Sequence, residues 1–385
     1  MSKDPVPRLL AQAEGKEKTY DWFGAVEFHK KALAQVLKQK DLLKAGDVQE
    51  RIGYCFYCGA FQAESQEEFK QRMQRAIETY KKADGFYKKL ADEQKARVLR
   101  CGAVIAYMGY WLALEALEKK QLVDECWRLT KESLKAFEQA GDAREYGKTY
   151  NQLSTSVDFR FCFEWDFQAR KKIMREAVEH GERTITFLST TEDSHELARA
   201  YVKTANYLEV FGYYFLDLDE RKTYLQKAKG YWLKAYGLSE ETAMVQLSSV
   251  LEFGLLEHWG SGTDEALKIF RKALENGRGT KDRFIVGCAL DSLAYHNTWR
   301  IWTSEDPDEI VKFAKRALQY AEDAKHQFSL ISFISPRDGV MWAEAPHAQY
   351  YQLLAFHEAN AEKKRELLEK ALEAAPEGLK RAEDS

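Results

Sequence analysis

The stretch QKAKGYWLKAYG, residues 226–237, decides the fold. A small residue, Ala228, is followed four positions on by the bulky Trp232, and three later by a second small residue, Ala235. Steps of four and three place all of them on one face of an α-helix. Residues 74–85, QRAIETYKKADG, repeat the pattern as Ala76, Tyr80 and Ala83, and residues 131–140 repeat it as Ser133, Phe137 and Ala140. A weaker copy runs Ala317, Ala321, Ala324. The small centre returns eight times, at Ala32, Ala76, Ser133, Ala177, Ala228, Ala273, Ala317 and Ala371, with a basic residue before it in most copies. The spacings are 44, 57, 44, 51, 45, 44 and 54 residues. A period of this size marks a stacked-repeat architecture, in which each unit needs only its neighbours.

Helix starts recur between these centres. Gly141-Asp142, Asp193-Ser194 and Lys281-Asp282 each set a capping residue before an apolar pattern of helical spacing, as does Ser239-Glu240. The repeat therefore reads as a helical hairpin, helix A then helix B, with the small centre on helix B. No proline falls between residues 8 and 306, so the main helix breaker is missing from most of the chain. Asp306-Pro307-Asp308-Glu309 gives a cap, a first-turn proline and acids where the helix dipole favours them. Pro376 is expected to close the last helix from outside. Ala103 to Leu117 reads as the helix A of the long second interval, and no run alternates as a strand would.

The helix B pattern resembles that of tetratricopeptide repeats. Helix A of that family carries a bulky residue, a Leu three later and then a small residue. Tyr150-Leu153-Ser154 and Met244-Leu247-Ser248 match it, and Tyr201-Thr204-Ala205 and Leu290-Leu293-Ala294 match it partly. Small residues let the two helices approach while the bulky one fills the groove beside them. Three units, beginning at Tyr150, Tyr201 and Leu290, have 27 residues between the helix A bulky residue and the helix B Ala. That is about three helical turns more than the family's usual repeat. The expected fold is all-α, a tetratricopeptide-like α–α superhelix of about eight long hairpins over residues 19–376. A capping segment, 1–18, precedes it, a tail, 377–385, follows it, and an irregular stretch, 326–346, holds the turn Pro336-Arg337-Asp338-Gly339.

The resemblance implies that helix A lines a concave groove. In the matched units this places Asn151, Thr155, Asp158, Arg199, Lys203, Asn206 and Glu209 there, followed by Glu252, Asp291, Tyr295 and Thr298. The amides could bond an extended peptide backbone; the alternative is a merely solvated polar face. The family's clamp for a free carboxylate is not reproduced, because acids sit beside Lys148, Arg199 and Lys203.

The 58 basic and 61 acidic residues nearly balance, and no run of five Lys/Arg occurs, which argues against nucleic acid. No apolar stretch approaches a membrane span, and the first eighteen residues lack the apolar core of a signal peptide. The six cysteines are scattered among apolar residues, as suits a reducing compartment, and a cytoplasmic location is expected.

Catalytic and metal motifs are weak. Cys55-Phe56-Tyr57-Cys58 is a CxxC without a second pair or a histidine at ligand spacing, and reads as two core cysteines. Glu344 and His347 form an isolated ExxH, and Gly260-Ser261-Gly262-Thr263 lacks the Lys and the preceding strand of a phosphate loop. The expectation is a non-enzymatic scaffold for a protein or peptide, with no cofactor and no metal. A regulatory sensor of a small peptide or metabolite is the alternative, and an α-helical enzyme with groove acids is the least favoured. Bacterial peptide-pheromone receptors are similar in length and repeat type, but usually carry an N-terminal effector domain for which residues 1–18 leave no room.

Overall fold

The computed structural model describes residues 5–90, 94–239, 264–331 and 345–384. The described residues form sixteen α-helices and no strand. Met244-Leu247-Ser248, Glu252, the 260–263 glycine turn and most of the 326–346 stretch lie outside them.

The helices pair as hairpins. The first joins α1 (Val6–Lys18) to α2 (Trp22–Lys38), the second α3 (Leu42–Ala60) to α4 (Gln66–Lys88), and the third α5 (Lys95–Leu112) to α6 (Ala116–Gln139). In the fourth, helix A is divided into α7 (Ala143–Leu153) and α8 (Thr155–Phe163) and precedes α9 (Phe167–Leu188); the fifth is α10 (Ser194–Phe215) with α11 (Leu218–Ser239). Next come a helix B, α12 (Asp264–Thr280), then α13 (Arg283–Thr303) with α14 (Pro307–Leu330), and α15 (Ala345–His357) with α16 (Ala361–Asp384). All eight small centres lie on helix B, and the first seven are fully buried. These are tetratricopeptide-like hairpins with long helices.

The packing explains the pattern. Bulky helix B residues enter hollows that glycines leave on helix A: a Cβ on Gly53 would lie 2.5 Å from the Tyr80 ring, and one on Gly46 2.4 Å from Tyr87. Gly147 faces Leu188 and Gly287 faces Phe328 in the same way. Tyr150 of α7 donates its hydroxyl to the carbonyl of Ala177, the centre of α9, at 2.8 Å. Where Ser133 replaces the alanine, its hydroxyl donates to the Ala96 carbonyl at 2.7 Å, so the polar atom is satisfied inside the core.

The caps follow the sequence. Asp142, Asp193, Asp282 and Asp306 each accept a backbone N–H from the first turn of α7, α10, α13 and α14. Three boundaries differ from expectation. α5 ends at Leu112, where extended backbone at Ala113 turns the chain back, and Leu117 belongs to α6. α16 continues through Pro376 to Asp384; a proline removes one helical hydrogen bond, and the Ala, Glu, Leu and Lys around it favour helix. The division of the fourth helix A falls at Ser154, whose carbonyl accepts the Tyr207 hydroxyl at 2.5 Å.

The chain divides into two compact units, one of Met1–Ala60 with Glu67–Ser249, the other of Phe61–Gln66 with Val250–Ser385. In the second unit Arg283 donates its backbone N–H to the Phe61 carbonyl at 2.8 Å. Among the described residues no helix is long and apolar enough to cross a membrane.

Candidate functional site

The first unit holds a cavity of about 230 Å³ walled by helix A segments α3, α5, α7 and α10, with Tyr80 contributed by α4. Gly53 makes room for the Tyr80 ring, and the Tyr80 hydroxyl accepts from Gln152 Nε2 at 2.7 Å. The other walls are charged: Arg51, Arg100, Arg144, Lys148 and Arg199 against Asp47, Glu50, Glu145 and Glu196.

Arg100 is the centre of this arrangement. Its buried guanidinium donates to Glu50 on α3 at 2.6 Å and to Glu145 on α7 at 2.5 Å, tying three successive helix A segments together. Arg97 adds a 2.7 Å bond to Glu145, and Tyr87 donates its hydroxyl to Asp47 at 2.8 Å and to Glu50 at 3.1 Å. Burial alone would drive Glu145 toward its neutral form; Arg100, Lys148 and Arg97 outweigh it and hold the carboxyl well below the usual range. Burial likewise opposes the charge on Arg100, and the two glutamates keep it protonated. Asp47 titrates above the usual range because burial outweighs the pull of Arg97.

At the α7–α10 junction the Asn151 amide donates to the Glu196 carbonyl at 2.7 Å and to its carboxylate at 2.8 Å. Arg199 spans the Glu196 carboxylate at 3.3 Å and the Asn151 carbonyl at 3.2 Å. Burial works against the Glu196 charge, but Arg199, His195 and this amide leave its pKa lowered.

Glu50, Glu145 and Glu196 are thus engaged inside the wall, while three cations and one acid, the 46%-exposed Asp47, reach its rim. The side chains of Arg144, Arg51 and Lys148 are 60%, 42% and 34% exposed. Arg144 uses one N–H on Asp193, at 3.0 Å, and a guanidinium carries five donors.

Of the residues that sequence reasoning placed in a groove, Arg199 lines this cavity. Asn151 and Glu209 are almost fully buried, so Asn151 serves the wall and does not face a ligand. Thr155, Asp158, Lys203 and Asn206 are half-buried and do not line the cavity. Asp291, Tyr295 and Thr298 belong to the second unit, where Thr298 donates to the Ala294 carbonyl at 2.9 Å. Glu252 lies outside the described residues. A hollow of about 820 Å³ in the second unit, at the start of α12 and α14, is lined by Trp299, Arg300 and several acids and by none of the expected residues.

Sequence reasoning missed Asp47, Glu50, Arg51 and Arg100. The signal was present as opposite charges at the repeat spacing: Glu50, Arg100 and Glu145 are 50 and 45 residues apart.

The fold and the walled cavity define a tetratricopeptide-like helical repeat with a charged concave site. No protein-family model and no curated protein matches the chain. Among solved structures, it is similar to a signal-transduction ATPase of the STAND class with a tetratricopeptide repeat sensor from Pyrococcus horikoshii: 13% identity, 98% of this chain, 53% of that one, TM-score 0.47. The chain thus spans about half the length of that protein. It is also similar to a Rap protein complexed with competence and sporulation factor, at 14% identity over 98% of this chain and 100% of that one, TM-score 0.43. Human IFIT1, as a dimer with PPP-AAAA, aligns at 11% identity over 99% of this chain and 95% of that one, TM-score 0.38.

Proposed function

We propose that the chain is a non-enzymatic binding protein whose first unit takes an acidic segment of a peptide or partner protein into the cavity between α3, α5, α7 and α10. The observation that supports this is the distribution of charge: Glu50, Glu145 and Glu196 are engaged by Arg100, Arg97, Arg199 and an amide, while the rim carries the exposed donors of Arg51, Arg144 and Lys148 against one exposed acid, Asp47. A carboxylate arriving there gains charge-assisted hydrogen bonds without breaking the buried network. Unpaired basic residues on a ligand would meet the rim's like charge.

Fluorescence polarisation with labelled acidic, neutral and basic peptides of equal length tests the reading. The acidic series is expected to bind, with affinity falling as salt rises. Arg144→Glu, at the most exposed rim position, is expected to weaken it by about tenfold or more, the scale of one hydrogen bond to a charged group. Equal binding of all three series, or binding indifferent to Arg144→Glu, would reject it.

A further inference from the structure

A second cluster of polar groups lies inside the first hairpins, and the cavity wall uses only its outermost member, Arg51. Glu17 ends the buried face of α1, His29 sits mid-way along α2, and Cys55 lies in the last part of α3. Each is at least nine-tenths buried. Glu17 Oε1 is 2.7 Å from His29 Nε2 and 3.4 Å from Cys55 Sγ, and the three donor atoms all lie within 4.8 Å of one another. The residues are 12 and 38 positions apart, which is why the CxxC at Cys55 and Cys58 gave no hint of them.

We propose that Glu17 Oε1, His29 Nε2 and Cys55 Sγ form a three-residue zinc site in which these side chains from α1, α2 and α3 close on one ion. The donor set is a carboxylate oxygen, an imidazole nitrogen and a thiolate sulfur, the three kinds of ligand that Zn(II) accepts together, whereas magnesium and calcium select oxygen alone. A tetrahedral ion with ordinary zinc bond lengths holds its donor atoms about 3.5 Å apart. The oxygen–sulfur separation already meets that distance, and the oxygen–nitrogen contact opens by less than about 1 Å as the ion replaces the shared proton.

The surroundings suit such an ion. Arg51 donates through Nη2 to Glu17 Oε2 and through Nε to both carboxylate oxygens at 3.0 Å, so the guanidinium orients the carboxylate from outside, and Oε1 would bind the ion in a monodentate way while still accepting from Nε. The other imidazole nitrogen, Nδ1, is buried and has no protein partner, so it can carry the ring's single proton once Nε2 is bound to the metal. Binding releases the Cys55 thiol proton to solvent, and the fourth position is left for water. The ion would replace a hydrogen-bonded knot of three helices by a coordinate one.

The test is a titration of the full-length chain, purified without metal under reducing conditions, with Co(II) as a spectroscopic probe and Zn(II) as competitor. A cobalt–thiolate charge-transfer band in the near ultraviolet, saturating at one equivalent and abolished by one equivalent of Zn(II), is expected. Cys55→Ser should remove the band and weaken Zn(II) binding by more than about tenfold, already the cost of losing an outer partner in such sites. His29→Gln should do the same, and Cys58→Ser should leave both unchanged, with circular dichroism reporting that each variant is folded. No thiolate band at one equivalent, or a band that survives Cys55→Ser or disappears only in Cys58→Ser, overturns the assignment.

Discussion

At the scale of single residues, burial decides what a charge is worth. Arg100 and Arg183 each reach a glutamate 45 residues away, Arg100 to Glu145 and Arg183 to Glu138. The first pair is buried and the second is about half exposed. Removing Arg100 strands Glu50 and Glu145 in the wall, so Arg100→Ala is expected to lower the stability measured by urea unfolding by about 3–5 kcal/mol. Arg183→Ala, in the same measurement, should cost under about 1 kcal/mol. Equal losses would mean that the wall pairs are solvated. Gly53 supplies a second residue-scale expectation. A methyl there meets the Tyr80 ring at 2.5 Å, and Gly53→Ala should destabilise by about 1–3 kcal/mol despite the better helix propensity of alanine.

At the scale of elements, helix starts place the chemistry. Asp142 and Asp193 cap α7 and α10, and Glu145 and Glu196 follow each cap by three residues. The cap fixes the entry angle of the helix that carries the wall acid, so Asp142→Ala should cost about 1 kcal/mol in chemical denaturation. These starts were legible because a capping aspartate before an apolar pattern is a local signal, and the small centres were legible because each must lie against the partner helix. Helix ends were harder. Nothing in the Ala, Leu and Glu of residues 113–117 announces the turn after α5, which antiparallel packing imposes. The cavity was harder still. Placing the groove from matched helix A segments gave Arg199, but Asn151 turned inward because its amide finds two acceptors on Glu196. The residues Glu17, His29 and Cys55 come together only in three dimensions, where no local spacing could announce them.

At the scale of the whole molecule, the buried carboxylates set an acid limit. Burial works against the charge of Glu17, but the bond from His29 and the charge and bonds of Arg51 prevail and bring its pKa down from 4.5 to about 2. Glu145 and Glu196 move in the same direction. A folded pKa below the unfolded one stabilises the fold fully above about pH 4.5, and the contribution is lost as pH falls toward 2. For Glu17 the shift corresponds to about 3 kcal/mol. Thermal unfolding should therefore drop steeply over that window, and Glu17→Gln should show a flatter dependence from a lower starting stability. A Tm that is constant between pH 4.5 and 2 in the parent chain would contradict the ion-pair account.

The wall network has a consequence for how such a chain can change length. Arg100 joins Glu50 and Glu145 across three consecutive hairpins, so the charges alternate in sign along the wall. Excising the middle hairpin, α5 with α6, would remove the cation that both Glu50 and Glu145 bond and leave two wall acids without it. The order of hairpins is thus written in charge, and loss of this one unit would be opposed by two stranded carboxylates even though the helices themselves could still stack.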